Sequence, residues 1–581
     1  MKKQIWVLLA LFGVMALLLA CAGAGEEATS TPRAQVTAGV IATVTVSAER
    51  PEHGGTYRIA ITEPEAGWDW HKSVSYATNI FQSFVQAGLL QYPTGPGADP
   101  YDLSVAPMLA ESWEVSADGL TVTFHLRKGV KWHNRPPMNG REVVADDVKF
   151  TYEHMKRVKS GYYTPFETLD SVEVVDKYTV KFNWKTPYAP FLTYLGDAWG
   201  YLYPREVEEQ YGDMVKWENV VGNGPFMIKE SIASVGTRFV KNPDYFEKDK
   251  YGNQIPYVDE LWIPSVPDAS TSLAAFRSGN LDHRAIGILD RESVKKSNPE
   301  LKWYVPFVTT GSSFLWYNVS KPPFDDARVR QAVSMALDRQ MWLDSFYMGE
   351  GVLDNGPVPA AMTYWKLPLD KMGECAKYQQ YNVTEAKKLL AEAGYPNGFE
   401  TTIHFTTRYG TTSAEMGELW VDIVSKIGIK ANVKVWEYGA WLNGPYIGKA
   451  DGMIWIPVTA FQEIDIYMWD LYHSKSLSRY VLNRTDGGDK LDELIDAQRL
   501  EYNTEKRREM VYEIQKILAC RCYRVIVPTG TTLTAYHPWV HDYNTKAASY
   551  NYGSRFSRPH GPFEPVRVLP VLKKGLCPAP Y

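Results

Sequence analysis

PMLAESWEVSADGLTVTFHLRKGVKWH, residues 107–133, holds the clearest structural pattern of the chain. Four apolar side chains, Leu120, Val122, Phe124 and Leu126, alternate here with polar ones. Strict alternation places the apolar side chains on one face, which is typical of a half-buried β-strand. The stretch therefore predicts a strand that covers a hydrophobic core with one of its faces.

The first half of the chain repeats this alternation. Val172 to Trp184 is predicted to form a hairpin that turns at Asp176 and Lys177, since apolar residues recur at every second position after the turn. Residues 57–62 are predicted to form the first strand. The first half of the chain is therefore expected to be richer in strands than the second.

Helical spacing is clearest between about residues 325 and 530. Asp325 or Asp326 is predicted to cap one helix, and Thr384 is predicted to start the next. Residues 416–427 form another apolar helical face, and Thr504 is predicted to cap a further helix. One strand between these helices has apolar residues at alternate positions: Ile429, Ala431, Val433 and Val435. Alternating helices and strands predict an α/β lobe.

The amino terminus has the pattern of a secretory signal. Lys2 and Lys3 precede an apolar run from Ile5 to Ala20, and Cys21 follows directly. The Cys at this break resembles a bacterial lipobox, which implies cleavage before Cys21 and a lipid on its thiol. The alternative is an uncut membrane anchor, but the apolar run is short for a span of about 20 residues. Residues 22–52 lack an amphipathic period and are expected to form a flexible tether.

Length and charge limit the function. A chain of 581 residues is too long for one core, so two or three lobes are expected. The net charge is only −5 and the basic residues are scattered, which argues against nucleic acid as a partner. No later apolar run reaches the length of a membrane span, so the body is expected to be soluble. The 19 Trp, 37 Tyr and 21 Phe fit either core packing or a concave site for a peptide or a sugar.

Four cysteines lie beyond Cys21: Cys375, Cys520, Cys522 and Cys577. In an exported protein they can pair, and four cysteines allow three connectivities. Cys520 and Cys522 could also be buried thiols. Their spacing lacks the second pair and the His partners expected of a zinc site.

Several motifs in collinear order resemble one family. Residues 107–133 look like the signature of the peptide/nickel class of extracellular solute-binding proteins, the receptors of ABC importers. Asn223 stands in a turn where this class has Thr. Further segments match the class in the same order: VGNGPF 221–226, NPDYF 242–246, PYVDE 256–260, SGNLD 278–282, PFDDARVRQA 323–332, ALDR 336–339 and AKKLLAEAGY 386–395.

The resemblance implies an α/β, two-lobed, periplasmic-binding-protein-like clamp of type II with an extra subdomain in lobe I. The chain would cross between the lobes near residues 305–313 and 527–534, which are rich in Gly, Thr and Pro and suit hinge strands. The expected boundaries are 1–20 for the signal peptide, 21–52 for the tether, 53–305 for lobe I with the extra subdomain at about 86–215, 306–531 for lobe II, and 532–581 for the return to lobe I and the tail.

The resemblance also indicates which side chains line the cleft. Those from lobe I or the crossing are Glu63, Trp68, Asp69, Trp316, Tyr317 and Asn318. Those from lobe II are Arg408, Trp436, Tyr438, Trp441, Phe461, Glu463 and Asp465. For each of these side chains, a place in the core or in a solvated loop is the alternative.

The class leaves the ligand open. Dipeptide-binding relatives hold the ligand carboxylate with an Arg near the position of Arg408, and bidentate pairing suits that role. The Asp that would hold a peptide amino group aligns with Ala460, so Glu463 or Asp465 would have to substitute. A peptide is the leading ligand, and an oligosaccharide stacked on Trp faces is the alternative.

Other functional classes lack a signature in the sequence. We see no Gly-x-Ser-x-Gly elbow, no His-Glu-x-x-His motif and no phosphate loop, so an extracellular hydrolase is a remote alternative. A metal or haem receptor is the third option and is also disfavoured, because Pro538 lies between His537 and His541 and the other His are dispersed. We therefore expect a non-enzymatic, monomeric receptor without a cofactor. Its expected partners are ABC permease subunits and, through the lipid, the outer face of the cytoplasmic membrane.

Overall fold

A computed structural model describes residues 53–540, apart from 61–66, 74–75, 94–98, 100, 103, 250, 267, 305–311, 354–355, 410, 459–462, 477–483 and 485–488. The signal, Cys21 and the tether therefore lie outside the described residues. The described part belongs to one compact unit.

The strands of the described residues are, in chain order, β1 Thr56–Arg58, β2 Leu90–Gln91, β3 Ala106–Pro107, β4 Ala110–Val115, β5 Thr121–Leu126, β6 Leu169–Asp176, β7 Thr179–Trp184, β8 Phe226–Ile232, β9 Gly236–Lys241, β10 Glu260–Pro264, β11 His283–Ala285, β12 Lys302–Trp303, β13 Ser312–Tyr317, β14 Gly351–Val352, β15 Glu400–Phe405, β16 Lys430–Val435, β17 Met453–Val458, β18 Arg524–Ile526, β19 Thr529–Gly530 and β20 Thr534–Tyr536.

The α-helices of the described residues are α1 Tyr76–Val85, α2 Ala145–Arg157, α3 Phe191–Tyr194, α4 Arg205–Tyr211, α5 Ala269–Arg277, α6 Arg291–Ser297, α7 Ala327–Ala336, α8 Arg339–Tyr347, α9 Val383–Glu392, α10 Thr411–Ser425, α11 Tyr438–Asn443, α12 Lys490–Leu500 and α13 Thr504–Arg521.

The largest hydrophobic clusters separate along the chain. One contains residues between Ile59 and Ile263 together with Ile466, and the other contains residues between Phe314 and Val527. We call the part built from β1–β12 and β20 the first lobe, and the part built from β13–β19 the second lobe. The chain returns to the first lobe at β20, which pairs with both β11 and β12.

Two four-stranded sheets organise the first lobe, in the orders β1-β10-β9-β8 and β4-β5-β7-β6. The predicted strand of the opening stretch is confirmed as β5, with Val122, Phe124 and Leu126 buried. The predicted hairpin is confirmed as β6 and β7, paired antiparallel. The first strand, expected at residues 57–62, is shorter in the structure: β1 begins at Thr56 and ends at Arg58.

A glycine turn fixes the position of α1 in the first lobe. A Cβ on Gly222 would lie 2.1 Å from the carbonyl oxygen of Val85, and one on Gly224 would lie 2.6 Å from it. Asn223, between them, accepts a hydrogen bond from the amide of Ala87 at 2.8 Å. The turn of residues 221–226 therefore lets the backbone approach the end of α1 closely.

The second lobe is built on a five-stranded sheet in the order β16-β15-β17-β13-β18. Its helices largely begin where the sequence predicts. Asp326 caps α7 by accepting from the amide of Arg328, and α13 begins at Thr504. The caps of α9 and α13 are Asn382 and Asn503 rather than threonines.

Cys375 and Cys520 form a disulfide that links the 3-10 segment Gly373–Gln379 to the carboxyl end of α13. Cys522 is a buried free thiol. Burial raises the pKa of Cys522 to about 12, so the thiol stays protonated at neutral pH. Cys577 lies outside the described residues.

Helices of the described ranges are all too short or too polar to cross a membrane.

Reducing the disulfide is expected to lower the free energy of unfolding by about 2–5 kcal/mol, because the bond restricts the unfolded chain across a sequence separation of 145 residues. Urea unfolding with and without dithiothreitol measures the change. Cys522→Ser keeps the bond and should retain the same sensitivity to the reductant. An unchanged unfolding midpoint after complete reduction would contradict the structural role of the bond.

Candidate ligand-binding site

Three strands of the second-lobe sheet end on the same side. β15 pairs parallel with both β16 and β17, so the segments that follow these strands emerge at one edge. In open α/β sheets, ligands bind at the carboxyl ends of the strands. We call residues 406–409, 436–441 and 463–465, which follow β15, β16 and β17, the ligand rim.

The ligand rim faces the first lobe. The Tyr188 hydroxyl, in the loop after β7, donates a hydrogen bond of 3.1 Å to Oδ2 of Asp465. Ile466 packs into the hydrophobic cluster of the first lobe. A ligand held at the rim therefore lies where the two lobes approach each other.

A cation and two aromatic rings lie together on the rim. The exposed Arg408 guanidinium is 5.7 Å from the ring centroid of Tyr438, and the Tyr409 and Tyr438 rings meet edge to face at 6.0 Å. Burial raises the pKa of the Tyr409 hydroxyl, which therefore stays neutral. This group can pair with a carboxylate and can stack on a flat or apolar ligand surface.

His404 orients the next ring of the rim. Nε1 of Trp436 donates a hydrogen bond of 3.0 Å to Nδ1 of His404, so Nε2 of His404 carries the proton and donates to the carbonyl of Asp451 at 2.7 Å. Burial lowers the pKa of His404; the Asp451 carbonyl opposes this shift and the charge of Lys434 adds to it. The neutral imidazole thus fixes the indole of Trp436.

The two carboxylates predicted to meet a ligand amino group already have cationic partners. Glu463 pairs with Arg507 at 2.5 Å, and Asp465 pairs with Arg499 at 3.1 Å. Both carboxylates are buried. Because their charge is neutralised inside the protein, the structure does not favour either as the ammonium site. Trp441, predicted on the rim surface, is fully buried in the second-lobe core.

Trp68 and Asp69 of the first lobe have structural surroundings. Trp68 packs edge to face on Phe81, with ring centroids 5.3 Å apart. Asp69 is fully buried and accepts hydrogen bonds from the Tyr203 hydroxyl at 2.9 Å and from the Met214 amide at 3.2 Å. These contacts satisfy the carboxylate without a ligand.

Trp316, Tyr317 and Asn318 lie away from the rim. β13 runs antiparallel to β17, so Ser312 is beside Val458 at the rim end and Tyr317 is beside Met453 at the other end. All three predicted side chains are buried. The sequence does not reveal this direction, because it depends on how β13 pairs.

The remaining predicted residues, Glu63, Phe461 and Cys21, lie outside the described residues. Sequence reasoning missed His404, Tyr409 and Tyr188. Tyr409 directly follows Arg408 and could have been inferred from it, whereas nothing local marks Tyr188 as a partner of the second lobe. Across the described ranges, no group of three or more His, Cys, Asp or Glu is arranged to hold a metal ion.

The fold, with the ligand rim between its two lobes, is typical of a solute-binding protein. The family model described as bacterial extracellular solute-binding proteins, family 5, middle region, matches residues 104–478, which is more than half of the chain. The chain belongs to this family of extracellular solute-binding proteins.

Individual relatives agree with this assignment. Haem-binding protein A of Haemophilus influenzae is 33% identical over 355 residues, covering 58% of this chain and 62% of that protein. Di/tripeptide-binding protein 1 of Pseudomonas aeruginosa is 29% identical over 477 residues, covering 77% of this chain and 84% of that protein. The match thus spans less than two thirds of the haem-binding relative.

A solved structure supports the fold. The periplasmic binding protein associated with an ABC transporter of Helicobacter pylori, in complex with the peptide STSA, superposes with a TM-score of 0.72 at 24% identity. The alignment covers 87% of this chain and 98% of that chain. The two-lobed α/β clamp expected from the sequence is confirmed.

Trp436 is expected to keep its bond to His404 as the pH falls through 6.5 and to lose it only at lower pH, because burial keeps the folded pKa below the ordinary value of 6.5. The stability from this bond is complete above pH 6.5 and is lost as the pH falls towards the folded pKa. Fluorine NMR of protein labelled with 5-fluorotryptophan reports the transition, and Trp436→Phe assigns the signal. A transition of that signal above pH 6.5 would contradict the assignment.

Proposed function

We propose that this protein is the substrate-binding receptor of an ABC importer and that it captures a peptide by closing its two lobes around it. The supporting observation is the ligand rim, which carries a cation and aromatic rings and whose Asp465 contacts Tyr188 of the first lobe. Membership of an extracellular solute-binding family supports a receptor function for the protein. The cargo is delivered to a permease without any bond being made or broken.

Closure follows from differential affinity. A ligand moves an open–closed equilibrium only as far as it binds the closed form better, and a shift from 1:99 to 99:1 takes about 5.5 kcal/mol. A cleft that touches the ligand from both lobes supplies this difference, because half of the contacts are missing when the lobes are apart.

A peptide carboxylate is the group that the rim suits best. Arg408 offers a planar fork to a carboxylate, and Tyr438 lies beside it. Relatives named for di- and tripeptides support this ligand class. The amino group is not expected to bind Glu463 or Asp465, since both are paired with arginines. The receptor is therefore expected to recognise a peptide by its carboxyl end.

The proposed pairing of Arg408 with the ligand carboxylate predicts that substitution of Arg408 and amidation of the ligand have coupled effects on affinity. Wild-type protein is expected to bind the dipeptide Met-Leu at least tenfold more tightly than its carboxamide, because the amide removes the charge-assisted pair, which is worth about 1.5–3 kcal/mol. In Arg408→Gln this preference should disappear, leaving both ligands equally weak. Isothermal titration of the two ligands against the two proteins completes the double-mutant cycle.

Arg157→Gln is the matched control, since Arg157 is an exposed arginine of the first lobe that pairs with Glu208. It should retain the wild-type preference for the free acid. Retention of that preference by Arg408→Gln would contradict the role of Arg408. Recovery of Met-Leu in cleaved form would contradict a receptor and favour a hydrolase.

An oligosaccharide is the second candidate ligand, because the half-buried rings of Trp436 and Tyr438 on the rim can stack on sugar rings. A thermal-shift panel of Met-Leu, the peptide STSA, cellotetraose and haem separates the classes. A ligand at a hundredfold over its Kd stabilises the protein by about 2.7 kcal/mol. Stabilisation by cellotetraose or haem, with no response to either peptide, would overturn the peptide assignment.

The location of the receptor completes the proposal. Cleavage before Cys21 and lipidation of its thiol would tether a monomer through residues 22–52 to the outer face of the cytoplasmic membrane. We also propose that lobe I ends near residue 305 and lobe II near residue 531. Two or three acyl chains hold a protein firmly, whereas one holds it marginally.

Cys21→Ser is expected to abolish both lipidation and cleavage at this position in a bacterial host, because serine offers no thiol for the lipid and the cleavage depends on the Cys. Mass spectrometry of the amino-terminal peptide tests this and should show a lipid on Cys21 in the wild type. Cys522→Ser is the matched control and should keep the lipid and the cleaved terminus. A wild-type amino terminus that is uncut and carries no lipid would contradict the lipid anchor and favour the uncut apolar segment.

A further inference from the structure

A buried contact joins the ligand rim to the loop after β7. Tyr188 of the first lobe is 3% exposed and Asp465 of the second lobe is 2% exposed. The Tyr188 hydroxyl donates to Oδ2 of Asp465 at 3.1 Å, and the amide of Ala189 donates to the carbonyl of Arg499 at 2.8 Å. Two neighbouring residues of one lobe thus bond to side chain and backbone of the other.

The second-lobe half of this contact is fixed within its own lobe. Asp465 pairs with Nε of Arg499 at 3.1 Å and accepts from Nε2 of Gln498 on Oδ1 at 2.6 Å. The Arg499 guanidinium is also stacked between two rings, 4.0 Å from the centroid of Trp469 and 5.1 Å from that of Tyr188. The carboxylate is therefore held in place before the first lobe reaches it.

Burial suits Tyr188 to a donor role. Burial raises the pKa of Tyr188, and the charge of Asp465 raises it further, so the hydroxyl keeps its proton. The neutral hydroxyl donates to a buried carboxylate, which makes the bond charge-assisted.

Backbone contacts surround the pair. The Tyr502 hydroxyl donates to the carbonyl of Tyr188 at 3.3 Å and to that of Gly119 at 3.4 Å. A Cβ on Gly119 would lie 2.9 Å from the Tyr502 ring, and φ at Gly119 is +69°. A side chain at Gly119 would therefore obstruct the approach of the second lobe.

We propose that Tyr188, Asp465 and Arg499 form a latch that stabilises the closed lobes and thereby sets how long a ligand is held. The latch rests on the proposed function, in which closure accompanies capture. The ion pair lies within the second lobe and persists when the lobes part, whereas the Tyr188 bond exists only in the closed form.

Tyr188→Phe tests the latch, because it removes the hydroxyl and keeps the ring. Hydrogen exchange of the Ala189 amide reports opening directly, since its acceptor is on the other lobe. Exchange at Ala189 is expected to be about tenfold faster in Tyr188→Phe, and dissociation of Met-Leu is expected to be faster by a similar factor, because the variant loses the hydroxyl that donates to Asp465 and accepts from Nη2 of Arg499. Asp465→Asn should accelerate both.

Tyr152→Phe is the matched control. Tyr152 is an equally buried tyrosine whose hydroxyl donates to the carbonyl of Trp199 within the first lobe, at 3.0 Å. It should leave exchange at Ala189 unchanged. An equal acceleration in Tyr152→Phe would assign the effect to general destabilisation and overturn the latch.

The outcome separates the latch from the peptide proposal. Exchange is measured in the full-length protein both without peptide and with saturating Met-Leu. If Ala189 exchanges at the wild-type rate in Tyr188→Phe under both conditions, the latch is wrong and the receptor function stands. If wild-type protein fails to bind Met-Leu but Ala189 still exchanges faster in Tyr188→Phe, the latch stands and the peptide assignment fails.

Discussion

The parallel pairing of β15 with β16 and β17 is the constraint on which the site depends. It brings the segments after three strands, far apart in sequence, to one edge of the second-lobe sheet. It also fixes which residues cannot reach that edge, because antiparallel β13 carries Trp316 and Tyr317 away from it. Asp465 at this edge contacts Tyr188 of the first lobe, and the proposed function makes the edge one wall of the ligand cleft.

The charged side chains of the ligand rim differ in burial. Glu463 and Asp465 are buried and compensated by Arg507 and Arg499, as buried carboxylates require. Arg408 is the exposed cation of the ligand rim and lies 5.7 Å from the ring centroid of Tyr438. His404 stays neutral and serves as an acceptor for Trp436. The interior carboxylates thus hold the scaffold and the lobe contact together, and the proposed function assigns recognition to Arg408 and the rim rings.

Local patterns of the sequence predict local structure well. β5, the hairpin of β6 and β7, and the Asp326 cap all follow from alternation and capping over a few residues. What fails depends on long-range pairing. The strand predicted from Ile429, Ala431, Val433 and Val435 is confirmed as β16, but the alternation does not predict that it is an edge strand with Val433 and Val435 exposed. Trp441, Glu463 and Asp465 are expected in the cleft from the resemblance, but core packing and distant arginines account for their burial.

The account is tested most directly by a crystal structure of the protein with the solute that remains bound through gentle purification. The predicted result is density for an intact solute between the lobes, with an anionic group against Arg408 and an apolar or flat part against Tyr438 and Trp436. Density elsewhere, such as at the Tyr317 end of β13, or a solute that leaves the ligand rim untouched, would contradict it.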